Sequence, residues 1–307
     1  MEKFRPEGCL YSTPENQKYI SREENLCEAI KNGYLLEARA IVCDSNHNLI
    51  VDLPCMKGII PREEGAIGIA DGSTRDIALI SRVNKPVRFI ALRIETDMYG
   101  QKVAILSRRI AQEQCRSQYI NSLMAGDIIE ARVTHLEQFG CFVDIGCGIS
   151  SLIPIDAISV SRISHPADRF AVGDMIKAVV KSNIDGRICL THKELLGTWE
   201  ENARMFCAGQ TVMGVVRGIE PYGIFVELTP NLVGLCEYRP DIEVNQLAAV
   251  YIKSIIPDKM KIKLSVVELF SQKAPISPID YFVFDHIDTW RYTPEGYDKK
   301  VIEHRFV

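Results

Sequence analysis

Tryptophan occurs twice in 307 residues, no Cys-x-x-Cys pair occurs among ten cysteines, and no run approaches the roughly 18 consecutive apolar residues of a membrane helix. The opening MEKFRPEGCLYSTPENQ has no apolar core before a small-residue cleavage site, so a cytoplasmic protein with no membrane partner is expected. The cysteines, scattered from Cys9 to Cys236 in a chain too long for a stapled mini-domain, read as reduced core residues. Zinc is the sharper alternative for Cys141 and Cys147, but no matching Cys or His pair follows them, and no metal is expected. The six histidines (His47, His135, His165, His192, His286 and His304) show no HExxH spacing and pair with no serine or cysteine nucleophile motif. Without a P-loop, GxGxxG or carboxylate cluster either, no catalytic residue and no cofactor is expected, and the protein reads as no enzyme. A basic excess is also missing: the net charge is -4, which argues against duplex binding by phosphate neutralisation. Base stacking on single strands stays open.

What is present is a repeat. Residues 126–146, GDIIEARVTHLEQFGCFVDIG, align with 209–229, GQTVMGVVRGIEPYGIFVELT, at a constant offset of 83. Farther on, RICLT at 187–191 aligns with KIKLS at 261–265 at an offset of 74, so the later unit is nine residues shorter. A fainter copy comes first, GYLLEARAIVCDSNHNLIVDLPCMKGIIP at 33–61, with VAILS at 103–107 as its closing strand. Within the units Ile129, Ala131 and Val133 alternate with Glu130, Arg132 and Thr134, the period of half-buried strands. Short strands divided by turns such as Asn183 to Gly186 suit a small closed barrel, which leaves no exposed edge. Helical pattern falls mainly between units, at 113–125 and 193–206, in Pro-free charged connectors expected to space the barrels semi-rigidly.

Two units carry an aromatic pair across a glycine: Phe139-Gly140-Cys141-Phe142 and Tyr222-Gly223-Ile224-Phe225. Residues three apart on a regular strand face opposite sides, and a glycine at positive φ would reset that alternation and turn both rings to one face. An isolated Phe142 or Phe225 would read as barrel filling, whereas the repeated pair favours stacking on bases. Arg187 and Lys261 share one repeat position and read either as solvated strand-end charges or as contacts to a ligand.

These units resemble the S1 RNA-binding domain, whose pattern of F/Y-G-x-F-V followed by a closing D/N-x-x-x-R/K-I-x-L-S/T strand both largely match. The resemblance implies a mainly β chain of tandem five-stranded OB-fold barrels of S1 type joined by short helices. It also implies RNA contacts through Phe139, Phe142, Asn183 and Arg187 in the second unit, where Pro154 stands at the family's histidine position. In the third unit the corresponding residues are Tyr222, Phe225 and Lys261, with Glu237 and Pro257 at eroded positions and weaker binding expected. The first unit has Asp44 to Leu49 in place of the aromatic turn and reads as a docking barrel. Along the chain, the expected divisions are an N-terminal segment 1–29, a degenerate barrel 30–112, a second barrel with its connectors 113–198, a shortened third barrel 199–270 and an aromatic-rich segment 271–307. Over about residues 30–270 the chain is similar to the bacterial ribosomal protein S1 family, and the Lys57 to Glu64 run resembles its leading-barrel pattern. Single-stranded messenger RNA and the small ribosomal subunit, the latter through 30–112, are the implied partners, with a non-ribosomal RNA-binding regulator or a protein scaffold as alternatives. The segment 271–307 either packs on the third barrel, burying Phe282, Phe284 and Ile287, or offers Trp290 and Tyr292 to a partner.

Overall fold

A computed structural model describes residues 4–273, 279–297 and 299–306. Three closed five-stranded barrels follow one another along the chain. The first uses β1 (Leu35–Cys43), β2 (Leu49–Leu53), β3 (Met56–Ile60), β4 (Pro86–Thr96) and β5 (Lys102–Ser107). The second uses β6 (Ile128–Glu137), β7 (Gly140–Asp144), β8 (Ser150–Pro154), β9 (Met175–Ile184) and β10 (Arg187–Thr191). The third uses β11 (Thr211–Glu220), β12 (Gly223–Thr229), β13 (Leu232–Cys236), β14 (Gln246–Ile256) and β15 (Lys261–Lys273). Each barrel closes in the order first, second, third, fifth, fourth, and its third strand runs parallel to its fifth, as in an OB barrel.

The alternation read from sequence is the alternation of burial. Ile129, Ala131 and Val133 point inward at 5%, 0% and 1% exposure, and Glu130 lies outside.

By internal contacts the chain forms two compact units. The first contains the first barrel together with residues 130–132 and 144–150. Helices α1 (Pro14–Ile20) and α2 (Glu23–Asn32) add Tyr19, Ile20, Leu26 and Ala29 to its core, so the N-terminal segment is integral to this unit, and the single turn α3 (Ile77–Ile80) adds Leu79. A buried charge network completes it: the Arg108 Nε donates to Glu7 Oε1 at 2.7 Å, and the Glu7 backbone N–H donates to Asp144 Oδ2 at 2.7 Å. Asp144 also accepts from the N–H groups of Gly146 and Gly148, at 2.8 and 3.0 Å. Burial, and then the nearby Glu7 carboxylate, push its carboxyl up to about 6.

The second unit contains most of the second barrel, the third barrel and the C-terminal segment. Ile287, Trp290, Tyr292 and Phe306 join its core, Tyr292 donating its hydroxyl to the Asn231 carbonyl at 2.6 Å in the turn between β12 and β13. Burying an Ile or Phe of this kind contributes about 1.5–3 kcal/mol, which is why the segment packs back on the barrel. Phe284 departs from that expectation: it is 63% exposed, with Lys177 Nζ 4.4 Å from its ring centre.

The connectors differ from their sequence reading. Helix α4 spans Arg108–Gln118, starting five residues earlier than the pattern suggested because Ser107 caps it, its hydroxyl accepting from the Ile110 N–H. The 193–206 connector holds a 3-10 turn at Lys193–Leu196 and a one-turn α5 at Trp199–Ala203, divided by Gly197 at φ 79°. No described helix is long and apolar enough to cross a membrane.

Candidate nucleic-acid interface

Phe139 and Phe142 meet edge to face with ring centres 5.9 Å apart, and Tyr222 and Phe225 repeat the arrangement at 6.1 Å. Interplanar angles of 89° and 87° make the two pairs near copies. Phe139 and Tyr222 belong to the turns that enter β7 and β12, while Phe142 and Phe225 stand within those strands. Ile224 and Val226, which flank Phe225, are fully buried, so Phe225 points outward, as Phe142 does between Cys141 and Val143. Phe139 at 57% and Tyr222 at 70% exposure are open to a ligand.

The glycines act differently from the sequence expectation. Gly223 has φ +152°, but Gly140 is not among the residues of positive φ. What both positions share is crowding: a Cβ on Gly140 would lie 2.6 Å from the Ile153 carbonyl oxygen, and one on Gly223 2.5 Å from that of Cys236. The glycines let the next strand approach, and the outer ring reaches the common face because it sits in the turn.

The cross-strand register extends each ring into a row. In the third barrel Gly218 pairs with Phe225, Phe225 with Leu235, and Leu235 with Lys263. In the second barrel His135 has its ring centre 6.3 Å from Phe142 at 31°, and Leu152 pairs with Cys189. These residues lie at the repeat offsets of 83 and 74, so His135 corresponds to Gly218 and Cys189 to Lys263. Arg187 and Lys261 are exposed at the starts of β10 and β15, two residues before Cys189 and Lys263 on the same strand face. That places each cation roughly 7 Å along the strand from the row.

Asn183 lies one residue before the end of β9, and its Oδ1 accepts the Gly186 N–H at 3.2 Å, capping the turn into β10. Its counterpart in the third barrel is Ile255 and not Pro257, because Asn183 pairs with Ile188 as Ile255 pairs with Ile262, and the four-residue Pro257–Met260 turn replaces Asp185-Gly186. Glu237, 86% exposed at its side chain, accepts from Lys253 Nζ at 3.0 Å. His135 and Lys263 escaped the sequence reading, although the offsets and a period of two counted from Lys261 point to them.

The first barrel has neither Phe nor Tyr in this turn, which reads Asp44-Ser45-Asn46-His47-Asn48-Leu49. Asp44 Oδ1 accepts the N–H groups of Asn46 and Asn48, at 2.9 and 2.8 Å, which closes its turn, and Ile41 and Val42 on β1 are 40% and 48% exposed. In the Lys57 to Glu64 run, Glu64 Oε1 accepts from Arg109 Nη2 at 2.8 Å and Glu64 Oε2 accepts from the Ser107 hydroxyl, so the run anchors the start of α4. Among the described residues no group of three His, Cys, Asp or Glu is arranged to hold a metal ion.

The S1 RNA-binding domain family model matches residues 122–190. Among curated relatives, the small ribosomal subunit protein bS1 of Leuconostoc lactis is 31% identical over 193 residues, covering 61% of this chain and 43% of that protein. A bS1 homologue of Bacillus cereus is 28% identical over 243 residues, covering 76% of this chain and 59% of its own length. The chain thus spans about half the length of these relatives. Among solved structures, a multidomain protein with nucleic-acid-binding domains from Streptococcus pneumoniae is 16% identical, covering 77% of this chain and 74% of its own, with a TM-score of 0.25. The second barrel thus carries an S1 RNA-binding domain, and the chain is similar over much of its length to bacterial small ribosomal subunit protein bS1.

Proposed function

We propose that the protein binds single-stranded RNA, messenger RNA in particular, and acts in translation on the small ribosomal subunit in the cytoplasm, as a binding protein and not an enzyme. The observation that carries this reading is the repeated pair of outward-facing rings, an exposed Phe139 or Tyr222 against a half-buried Phe142 or Phe225. A base offers two π-faces whatever its identity, and each base stacked on a ring is worth about 1–3 kcal/mol, so affinity needs no basic surface. A chain of net charge -4 fits that mode better than counterion release. Arg187 and Lys261, two residues along the closing strand from the end of each row, are the contacts to the RNA backbone, and Asn183 supports the turn that presents Arg187. The first barrel, aliphatic at Ile41 and Val42, is the part that docks on the small subunit.

The test is binding of a fluorescently labelled, unstructured oligouridylate to the full chain. Replacing Phe139, Phe142, Tyr222 and Phe225 with alanine should abolish binding, and unchanged affinity refutes the stacking site. Sucrose-gradient sedimentation of lysate tests the ribosomal part: co-migration with small subunits supports it, and free migration points to a non-ribosomal RNA-binding regulator.

A further inference from the structure

The register rows of the two RNA-facing barrels differ at both ends, and in opposite senses. The third reads Gly218, Phe225, Leu235, Lys263, and at the repeat offsets of 83 and 74 its counterpart in the second is His135, Phe142, Leu152, Cys189. A third ring in one barrel is exchanged for a primary ammonium at the far end of the row in the other. We infer that the two barrels grip RNA with a different balance of forces: the second through three aromatic rings and the single cation Arg187, the third through two rings and a pair of lysines, Lys261 and Lys263, that contact phosphate. This rests on the proposed RNA reading and assigns Lys263 and His135 as binding residues within it.

Lys263 is held outward by its neighbours, since Ile262 and Leu264 are buried at 1% and 2% exposure. It pairs in register with Leu235 on one side and Ser254 on the other, so no carboxylate stands next to it in the ladder. Among the described residues no ion pair involves Lys261 or Lys263, whereas the nearby Lys253 is engaged by Glu237. From Phe225 the row reaches Lys263 in two strand spacings, about 10 Å, so a base on the ring and its backbone on the ammonium fall within one short stretch of RNA. Lys261 follows on the same face and continues a track for the backbone.

In the second barrel the same position is Cys189, which brings no ammonium, and the gain is at the other end. His135 is 63% exposed at its side chain, lies only 31° from the plane of Phe142, and is steadied by Glu137, whose Oε1 is 2.7 Å from its Nε2. In the third barrel Gly218 leaves that end bare: a Cβ there would sit 3.6 Å from the edge of the Phe225 ring.

Salt separates the two modes, because a phosphate contact on a single strand adds about -0.7 to the slope of log affinity against log salt, and stacking adds none. The experiment titrates the full chain with a labelled twelve-nucleotide oligouridylate at pH 8 between 50 and 200 mM salt. Lys263→Gln should make the slope shallower by about 0.7, so that its loss of affinity is about 2.6-fold greater at 50 mM than at 200 mM. Cys189→Lys should steepen the slope by a similar amount, and His135→Ala should weaken binding equally at every salt concentration. Thermal melting checks that each variant folds. If Lys263→Gln leaves the slope unaltered while Tyr222→Ala or Phe225→Ala still weakens binding, the division of labour is wrong and the RNA reading stands. If the unaltered protein does not bind the oligouridylate, the RNA reading itself fails.

Discussion

Arg169 of the second barrel clasps Glu227 of the third through both terminal nitrogens, with Nη1 donating to Oε1 at 2.8 Å and Nη2 to Oε2, and both side chains are 6% exposed. Arg217 adds a second cation from β11, its Nε donating to Glu227 Oε2 at 3.1 Å, and the Ser161 hydroxyl donates as well. Burial pushes the Glu227 carboxyl up, but the two guanidiniums outweigh it and hold the group below the ordinary carboxylate range. Removing one partner of a buried pair strands the other, a loss of about 3–5 kcal/mol. Arg169→Ala is therefore expected to destabilise the second unit by about that much. Because both tryptophans, Trp199 and Trp290, are buried in this unit, fluorescence-monitored urea unfolding reads it selectively. A change under about 1 kcal/mol would mean that the pair is replaced by water at little cost.

The second unit should also weaken in mild acid through His192. This ring is fully buried, with Nδ1 2.9 Å from the Ile158 carbonyl and its edge against Phe170 at a centre distance of 5.1 Å. Burial lowers it to about 4. In the unfolded chain it takes a proton near pH 6.5, so its contribution is full above that pH and is lost as the pH falls through about 4. At roughly 1.4 kcal/mol per pH unit the loss is on the order of 3 kcal/mol. Tryptophan-monitored stability between pH 7 and pH 4 should fall for the unaltered protein and fall less for His192→Gln. Parallel curves for the two proteins would remove His192 as the cause.

Gly140 and Gly223 offer a test of how the ring pairs are built. A methyl group at either would meet a carbonyl oxygen of the adjoining strand at 2.6 or 2.5 Å, and backbone cannot swing aside as a side chain can. Gly223→Ala carries the added strain of φ +152°. Both substitutions should destabilise by about 1–3 kcal/mol, as overpacking does, and should weaken RNA binding by moving the ring before the glycine. Binding retained at full strength by a folded Gly140→Ala variant would show that the ring pair tolerates displacement of this turn.

The barrels and ring pairs were legible in the sequence because a strand period of two and a repeat offset are local signals. The row from Phe225 to Lys263 was not, since register across β12, β13 and β15 depends on strand pairing and is invisible until the barrel closes. Asn183 illustrates a related loss: the turn after β14 is two residues longer than the turn after β9, so counting back from the closing strand slips the match from Ile255 to Pro257. The N-terminal segment likewise gave no hint that Glu7 lies against Arg108, 101 positions away, because a buried ion pair leaves no periodic trace. Phe284 was expected inside on hydrophobicity alone, yet it remains outside beneath Lys177.

Cys189 supplies a reporter on the proposed RNA face that requires no engineering. It is exposed, its register partner Leu152 stands on the outer face of β8 beside the strand that carries Phe142, and Arg187 precedes it by two positions. Cys207, exposed in the short stretch between α5 and β11, is the internal control, while Cys115, Cys141, Cys147 and Cys236 are buried. Alkylation requires access to the sulfur as well as thiolate character. For Cys141 and Cys236 burial raises the thiol to about 12 and about 11, so they should react slowly with or without RNA. With saturating oligouridylate, iodoacetamide labelling followed by peptide mass spectrometry should show Cys189 protected severalfold and Cys207 unchanged. Protection of Cys207 with Cys189 still reactive would move the RNA off the ring face of the second barrel, and equal rates at both sites would remove it from this face altogether.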